Sequence, residues 1–225
     1  DGKLLKIDKP NDASLSWQRE WAFLLLKSEF TVAERTYKSG SLLAIKFDAL
    51  IRGERSFELL FEPTATRSLS RSGPNTTRDF LLLNILDNVA GRIEELQYLG
   101  GKWQRREVKA PFPGALGAVG MHDPFVKDDP LANHYSMSYL DFLTPASLYL
   151  GKAGSDEREL LKRNPTFFDS TGMRTEQRFA TSKDGTPVPY FVVYPNNYKA
   201  DGSHPTVLYG YGGFRIPQLP AYRGI

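Results

Sequence analysis

The chain has 225 residues, 40% apolar and 12% aromatic, enough for a substantial core in one large or two small domains. Its 29 basic and 26 acidic residues are mixed along the sequence and leave a net charge of +3, so no basic stripe invites a nucleic acid. The apolar runs are far shorter than the ~18 residues that span a bilayer. The absence of cysteine excludes disulfides, thiolate zinc sites and thiol catalysis, while cytoplasm and periplasm both stay open as compartments.

In chain order, residues 3 to about 163 read as short apolar or alternating runs separated by Gly, Pro, Asn, Asp and Ser, the all-β pattern. The opening residues lack the basic, apolar, small layout of a signal peptide, and both ends read as cuts through structure. Strands are predicted at 3–7, 21–27, 41–47, 56–61, 79–85, 91–98, 103–108, 116–121, 134–140, 147–151 and 159–162, with no long amphipathic helix among them. The clearest alternation, 92–99, meets Gly100-Gly101 and continues at 103–108, which predicts a hairpin. Sets of strands beginning near Trp21, Asp79 and Leu116 recur at roughly 40 to 55 residues, the spacing of propeller blades. An ordinary sandwich or barrel gives the same alternation, so periodicity leaves these architectures open.

After Arg163 the pattern changes. Residues 164–169 have linker character, and three stronger β segments follow at 174–181, 187–194 and 205–211. Asp184-Gly185 and Asp201-Gly202 mark turns that need positive φ. The third segment, Thr206-Val-Leu-Tyr209, reads as a strand buried on both faces. It runs into Gly210-Tyr211-Gly212-Gly213-Phe214, where a backbone can approach a ligand and expose its N–H groups. A tyrosine hydroxyl at such a mouth can donate to a developing oxyanion; equally, the same residues form a close-packed turn around an aromatic pair.

Tyr209-Gly-Tyr-Gly-Gly-Phe214, preceded by Pro205-Thr-Val-Leu, resembles the segment that opens the hydrolase core of the prolyl oligopeptidase family of serine peptidases. Phe179-Ala-Thr-Ser-Lys-Asp-Gly-Thr-Pro-Val-Pro-Tyr190 is similar to the strand, turn and strand that precede it in that family, and Phe142-Leu-Thr-Pro-Ala-Ser-Leu-Tyr149 to the stretch that closes its propeller. The resemblance implies a mainly β chain: about three blades of a seven-bladed β-propeller over 1–163, a linker over 164–173, and the first strands of an α/β-hydrolase domain over 174–225. It implies Tyr211 as an oxyanion-hole donor and Phe214 as a wall of the pocket for the substrate proline; Gly212 and Gly213, in the glycine-rich run itself, are candidate substrate-binding backbone. It also implies a short peptide as substrate, while the mixed charge, the short apolar runs and the lack of metal-ligand spacing predict no nucleic acid or membrane partner and no cofactor.

No Gly-x-Ser-x-Gly elbow occurs in the sequence, so a Ser-Asp-His triad is expected downstream of Ile225 and the chain alone is expected to be inactive. His122, His134 and His204 read as surface or structural histidines, and Asp123, Asp128 and Asp129 as a solvated loop; no His or carboxylate spacing suggests a metal. Severed blades predict self-association through exposed strand edges. Two other readings stay open: an aminopeptidase or esterase on the same fold, and a non-catalytic propeller that serves as a binding platform.

Overall fold

The structure, a computed structural model, describes residues 4, 6–70, 73–111, 113–214 and 216–223. Its first part is three consecutive antiparallel meanders, in each of which spatial order follows chain order. The first is built from β1 (Ser14–Gln18) and β2 (Trp21–Leu25), then, after a small hairpin of β3 (Phe30–Val32) and β4 (Arg35–Tyr37), from β5 (Leu42–Lys46), a single helical turn α1 (Phe47–Ile51) and β6 (Glu58–Phe61). The second holds β7 (Arg67–Leu69), β8 (Asn75–Thr76), β9 (Leu81–Asp87), β10 (Ala90–Leu99) and β11 (Lys102–Glu107); β7 and β8 pair with opposite ends of β9 as one interrupted strand. The third is β12 (Ala115–Gly120), β13 (His134–Leu140), β14 (Ser147–Lys152) and β15 (Arg158–Arg163). A separate hairpin of β16 (Arg174–Thr181) and β17 (Pro187–Tyr194) follows. Among the described residues no helix is long and apolar enough to cross a membrane.

The three sheets stack face to face. Period-2 alternation sends Leu81, Leu83 and Ile85 of β9 toward Trp21, Phe23, Leu42 and Ala44 of the first sheet, while Leu82 faces Ala118, Tyr135 and Met137 of the third. β9 therefore reads as an unbroken apolar run because both of its faces are covered. Close approach at the second seam requires glycine: a Cβ on Gly91 would lie 2.6 Å from Leu116 Cβ, and one on Gly120 would lie 1.8 Å from Thr76 O. At the same seam buried Asn84 donates from Nδ2 to Ala118 O (2.9 Å) and accepts at Oδ1 from Ala118 N (2.8 Å), so its amide is satisfied by the neighbouring sheet's backbone.

Two buried carboxylates on β10 face opposite seams. Glu94 accepts from Arg67 (2.7 Å) and from Arg105, whose guanidinium also donates to Leu60 O of the first sheet. Glu95 is paired across the strands with Arg106 (2.9 Å) and also accepts from Gly154 N of the third sheet (2.8 Å). Arg106 continues to Asp156 Oδ1 and Ser155 O, both at 2.6 Å. Burial pushes the Glu95 carboxyl up, and the hydrogen bonds from Gly154 and Arg106 only partly offset it; Asp156, hydrogen-bonded by Arg106, is held below its usual range.

The strand expectations at 134–140, 174–181 and 187–194 match the observed bounds, and the Gly100-Gly101 hairpin pairs Leu99 with Lys102 through positive φ at both glycines. Three readings need correction. The sheets begin at Ser14, Arg67 and Ala115, one strand earlier in the first two cases than the recurrence suggests, because β1, β7 and β8 are short or half-exposed edge strands with weak signals. The run at 3–7 forms no strand in residues 4, 6 and 7, and the rest of it lies outside the described residues. The segment 205–211 is not a strand, as described below.

Removing Arg106 strands a buried carboxylate, so Arg106→Ala is expected to destabilise the protein by about 3 kcal/mol in urea unfolding, against less than about 0.5 kcal/mol for Arg52→Ala on the surface. Asp156 gives the same network an acid limit. Its stabilising contribution is complete above its unperturbed pKa of 3.8 and is lost as pH falls through the lowered folded value. Stability measured from pH 5 down to pH 2 is therefore expected to fall less steeply in Arg106→Ala than in the parent.

Candidate functional site

The described part of the chain beyond the sheets positions the glycine-rich segment. The β16–β17 turn closes through Ser182 N to Thr186 O and Gly185 N to Ser182 O, both at 2.9 Å, with Gly185 at φ 85°. The Ser182 hydroxyl and Thr186 N donate to Asp184 and hold its carboxyl down at about 2. After β17 the chain turns again: Asn197 and Gly202 adopt positive φ, and Asp201 Oδ1 accepts from Ser203 N (3.0 Å) and its hydroxyl (2.6 Å). Tyr198 packs its ring between Tyr194 (4.7 Å) and His204 (5.1 Å), while Arg174 lies 4.3 Å over Tyr194. This Arg, Tyr, Tyr and His stack fixes where residue 205 starts.

From 205 to 212 the chain runs without helix, strand or turn. Val207 is 93% exposed and Leu208 98%, so the buried-strand reading fails for these residues. An apolar strand needs a hydrogen-bonded neighbour and covered faces, and the β16–β17 ladder does not extend to it. Tyr211 is half exposed, with its ring folded back over Gly213: a Cβ there would lie 2.9 Å from the Tyr211 Oη. Gly210 and Gly212 are in open space, so neither is demanded by crowding. Gly213 O accepts from Ile216 N at 3.1 Å, and Phe214 is 85% exposed at φ 54°, left-handed backbone that a non-glycine residue rarely takes. Residues 216–223 return to the linker, where the Tyr222 ring stacks on Phe168 (5.0 Å) and its hydroxyl accepts from Phe167 N (2.9 Å).

The segment thus holds Tyr211, Gly212, Gly213 and Phe214 together on an open edge, with a phenolic donor and open backbone at Gly212. The histidines lie elsewhere. His122 Nδ1 is 3.1 Å from Asp129, which also accepts from Asp123 N and Leu131 N, so the acidic loop spends its carboxylates on its own backbone. His134 starts β13, and His204 belongs to the tyrosine stack. Sequence reasoning missed how the hairpin meets the sheets. Gln177 donates to Asn88 O of the second sheet (2.5 Å) and Phe191 packs against Phe142 beside the third (5.5 Å). A polar residue within an alternating strand gives no signal of such a contact.

No family model matches the chain. It is 31% identical over its whole length to the uncharacterized peptidase y4nA of Sinorhizobium fredii, and 31% identical over 99% of its length to the uncharacterized peptidase RP174 of Rickettsia prowazekii. A solved post-proline cleaving enzyme from Rickettsia typhi superimposes on 98% of it with a TM-score of 0.75 and 29% identity. The chain belongs to the prolyl oligopeptidase family. It is mainly β, and its strand-rich sheets fit a partial β-propeller. The chain spans about 30% of the length of these curated relatives, which are named as peptidases.

A side chain at position 213 must displace the tyrosine ring. In the protein with 13C-labelled tyrosine, Gly213→Ala is expected to shift the Tyr211 ring resonances, whereas Gly210→Ala leaves them in place; unmoved Tyr211 signals in Gly213→Ala would contradict the folded-back ring.

Proposed function

We propose that this chain is part of a serine peptidase that hydrolyses short peptides, after proline, by acyl transfer. The observation that carries the reading is the end-to-end similarity to two bacterial peptidases and to a post-proline cleaving enzyme, in a chain that leaves Tyr211 to Phe214 open for a ligand. In this reading 1–163 are the C-terminal blades of a propeller, 164–173 a linker, and 174–225 the N-terminal strands of the α/β-hydrolase domain. The end of the third sheet at Arg163 and the independent ladder of β16–β17 support that division. The exposed apolar side chains at 207–209 fit a strand that pairs with residues of the whole protein outside this chain. The serine, aspartate and histidine come from outside it too, since the sequence holds no Gly-x-Ser-x-Gly elbow; the 225 residues alone are inactive.

Tyr211 donates its hydroxyl to the carbonyl oxygen as that oxygen gains charge, the Gly212-Gly213 backbone gives the substrate room to approach, and Phe214 offers a flat apolar wall to a proline ring. The two relatives matched over the whole chain are named only as peptidases, which leaves a second reading on the same fold, an aminopeptidase or esterase. A panel of proline, alanine and ester substrates on the full-length protein separates them, and a clear preference for non-proline acyl groups overturns the first.

A donor that acts on developing charge stabilises the transition state more than the bound substrate, so its loss appears in kcat. Tyr211→Phe keeps the ring and deletes the donor; in the full-length protein it is expected to lower kcat by about 100- to 1,000-fold with little change in KM. Tyr209→Phe is the control and retains near-normal kcat. Near-normal turnover in Tyr211→Phe, or an equal fall in the control, would contradict the oxyanion role.

A further inference from the structure

The glycine-rich segment is held on its two sides by different contacts. Ahead of it stands the stack of Arg174, Tyr194, Tyr198 and His204; behind it, Tyr222 returns to the linker. The Tyr222 ring lies nearly parallel to that of Phe168, with centroids 5.0 Å and planes 18° apart, and to that of Phe167, at 5.7 Å and 24°. Its hydroxyl accepts from Phe167 N at 2.9 Å. Burial alone does not demand this clasp, since Phe167 stays 61% exposed. The linker residues that receive it are themselves folded into a turn, in which Met173 N donates to Ser170 O (3.0 Å) and Thr171 N to Asp169 Oδ1 (2.9 Å).

Between the clasp and Phe214 the chain is stiff. Pro217 and Pro220 have their own φ fixed by the ring, and each pushes the residue before it, Ile216 and Leu219, toward extended backbone. Pro220 is buried and Pro217, Gln218, Ala221 and Tyr222 are half-buried, whereas 205–212 are all exposed. At the other end of this strut Ile216 N donates to Gly213 O (3.1 Å), which closes a turn around Phe214 at its left-handed φ of 54°. A displacement of Ile216 is therefore passed to Phe214.

We infer that Tyr222 is a positioning residue for substrate specificity: clasped to Phe167 and Phe168, it sets through the proline-stiffened residues 216–221 where Phe214 stands against the substrate proline, and it leaves the Tyr211 donor to the stack on the other side. This role rests on the reading of Phe214 as the wall of the proline pocket. An apolar wall meets the proline ring alike in the bound substrate and in the transition state, so its displacement raises KM while kcat stays close to that of the parent.

In the full-length protein Tyr222→Ala and Phe168→Ala are each expected to raise KM by about tenfold for a peptide with proline before the scissile bond, at near-parent kcat, and Tyr222→Phe, which keeps the stacked ring, to stay close to the parent. Both alanine changes break one contact, so the double variant should be no worse than either alone. The same peptide with alanine in place of proline lacks the ring that Phe214 meets, and its KM should not rise. With Phe214 replaced by 4-fluorophenylalanine, 19F NMR follows the wall without substrate: its line is expected to move in Tyr222→Ala and to return in Tyr222→Phe. A line that stays in place in Tyr222→Ala overturns the proposal, whatever the protein's substrate preference, as does a fall in kcat at unchanged KM, or a lower melting temperature with KM and the line both unchanged. A moved line in a protein that shows no preference for proline overturns the proline reading, while the hold of Tyr222 on Phe214 stands.

Discussion

Glu94 and Glu95 are consecutive on β10, and the pleat sends one into each seam of the stack. Each brings a buried charge between two sheets, which is tolerable only where a guanidinium and further donors meet it. Arg105 and Arg106 on the next strand supply both, one continuing to Leu60 O in the first sheet and the other to Ser155 and Asp156 in the third. The middle sheet is thereby keyed to its neighbours by direction as well as by apolar area. The leucines at the seams would allow the sheets to slide; the two ion-pair networks, with Asn84 on Ala118, set one relative position. Glycine at 91 and 120 then lets that position be close.

That stacking has consequences down the chain. The third sheet ends at Arg163, and Asn164 N still donates to Ala146 O before the linker departs. From there the β16–β17 root rests on the β9–β10 turn, which Asn88 N ties to Thr66 O, and on the β13–β14 loop, which Asp141 holds by accepting from Leu143 N and Thr144 N. The stack of Arg174, Tyr194, Tyr198 and His204 carries the direction on to residue 205, and Tyr222 ties the residues after Phe214 back to Phe167 and Phe168. The position of Tyr211 thus follows from contacts made far from it in sequence.

Much of this was legible wherever local chemistry decides the structure. The Gly100-Gly101 hairpin and both strands of β16–β17 follow from alternation and from turn residues that accept positive φ. β1, β7 and β8 were not legible, since an edge strand covered on part of one face has little pattern to display. The segment 205–211 shows the converse error: Thr206-Val-Leu-Tyr209 has the composition of a doubly covered strand, but composition states what a segment needs, and these residues have no ladder to join here. At the site, the motif picks out Tyr211, Gly212, Gly213 and Phe214, whereas the folded-back tyrosine ring and the hold of Gln177 on Asn88 are tertiary facts without a local signature.

The claim that gives these observations a function is that the Tyr211 hydroxyl faces the oxygen on which negative charge develops. A structure of the full-length protein with a peptide aldehyde ending in proline, captured as the hemiacetal, tests it most directly, because the adduct oxygen stands where the oxyanion forms. The account predicts the Tyr211 Oη within about 2.7–3.1 Å of that oxygen, with the proline ring against Phe214. A tyrosine hydroxyl turned away, with the oxygen held by other donors, would contradict it.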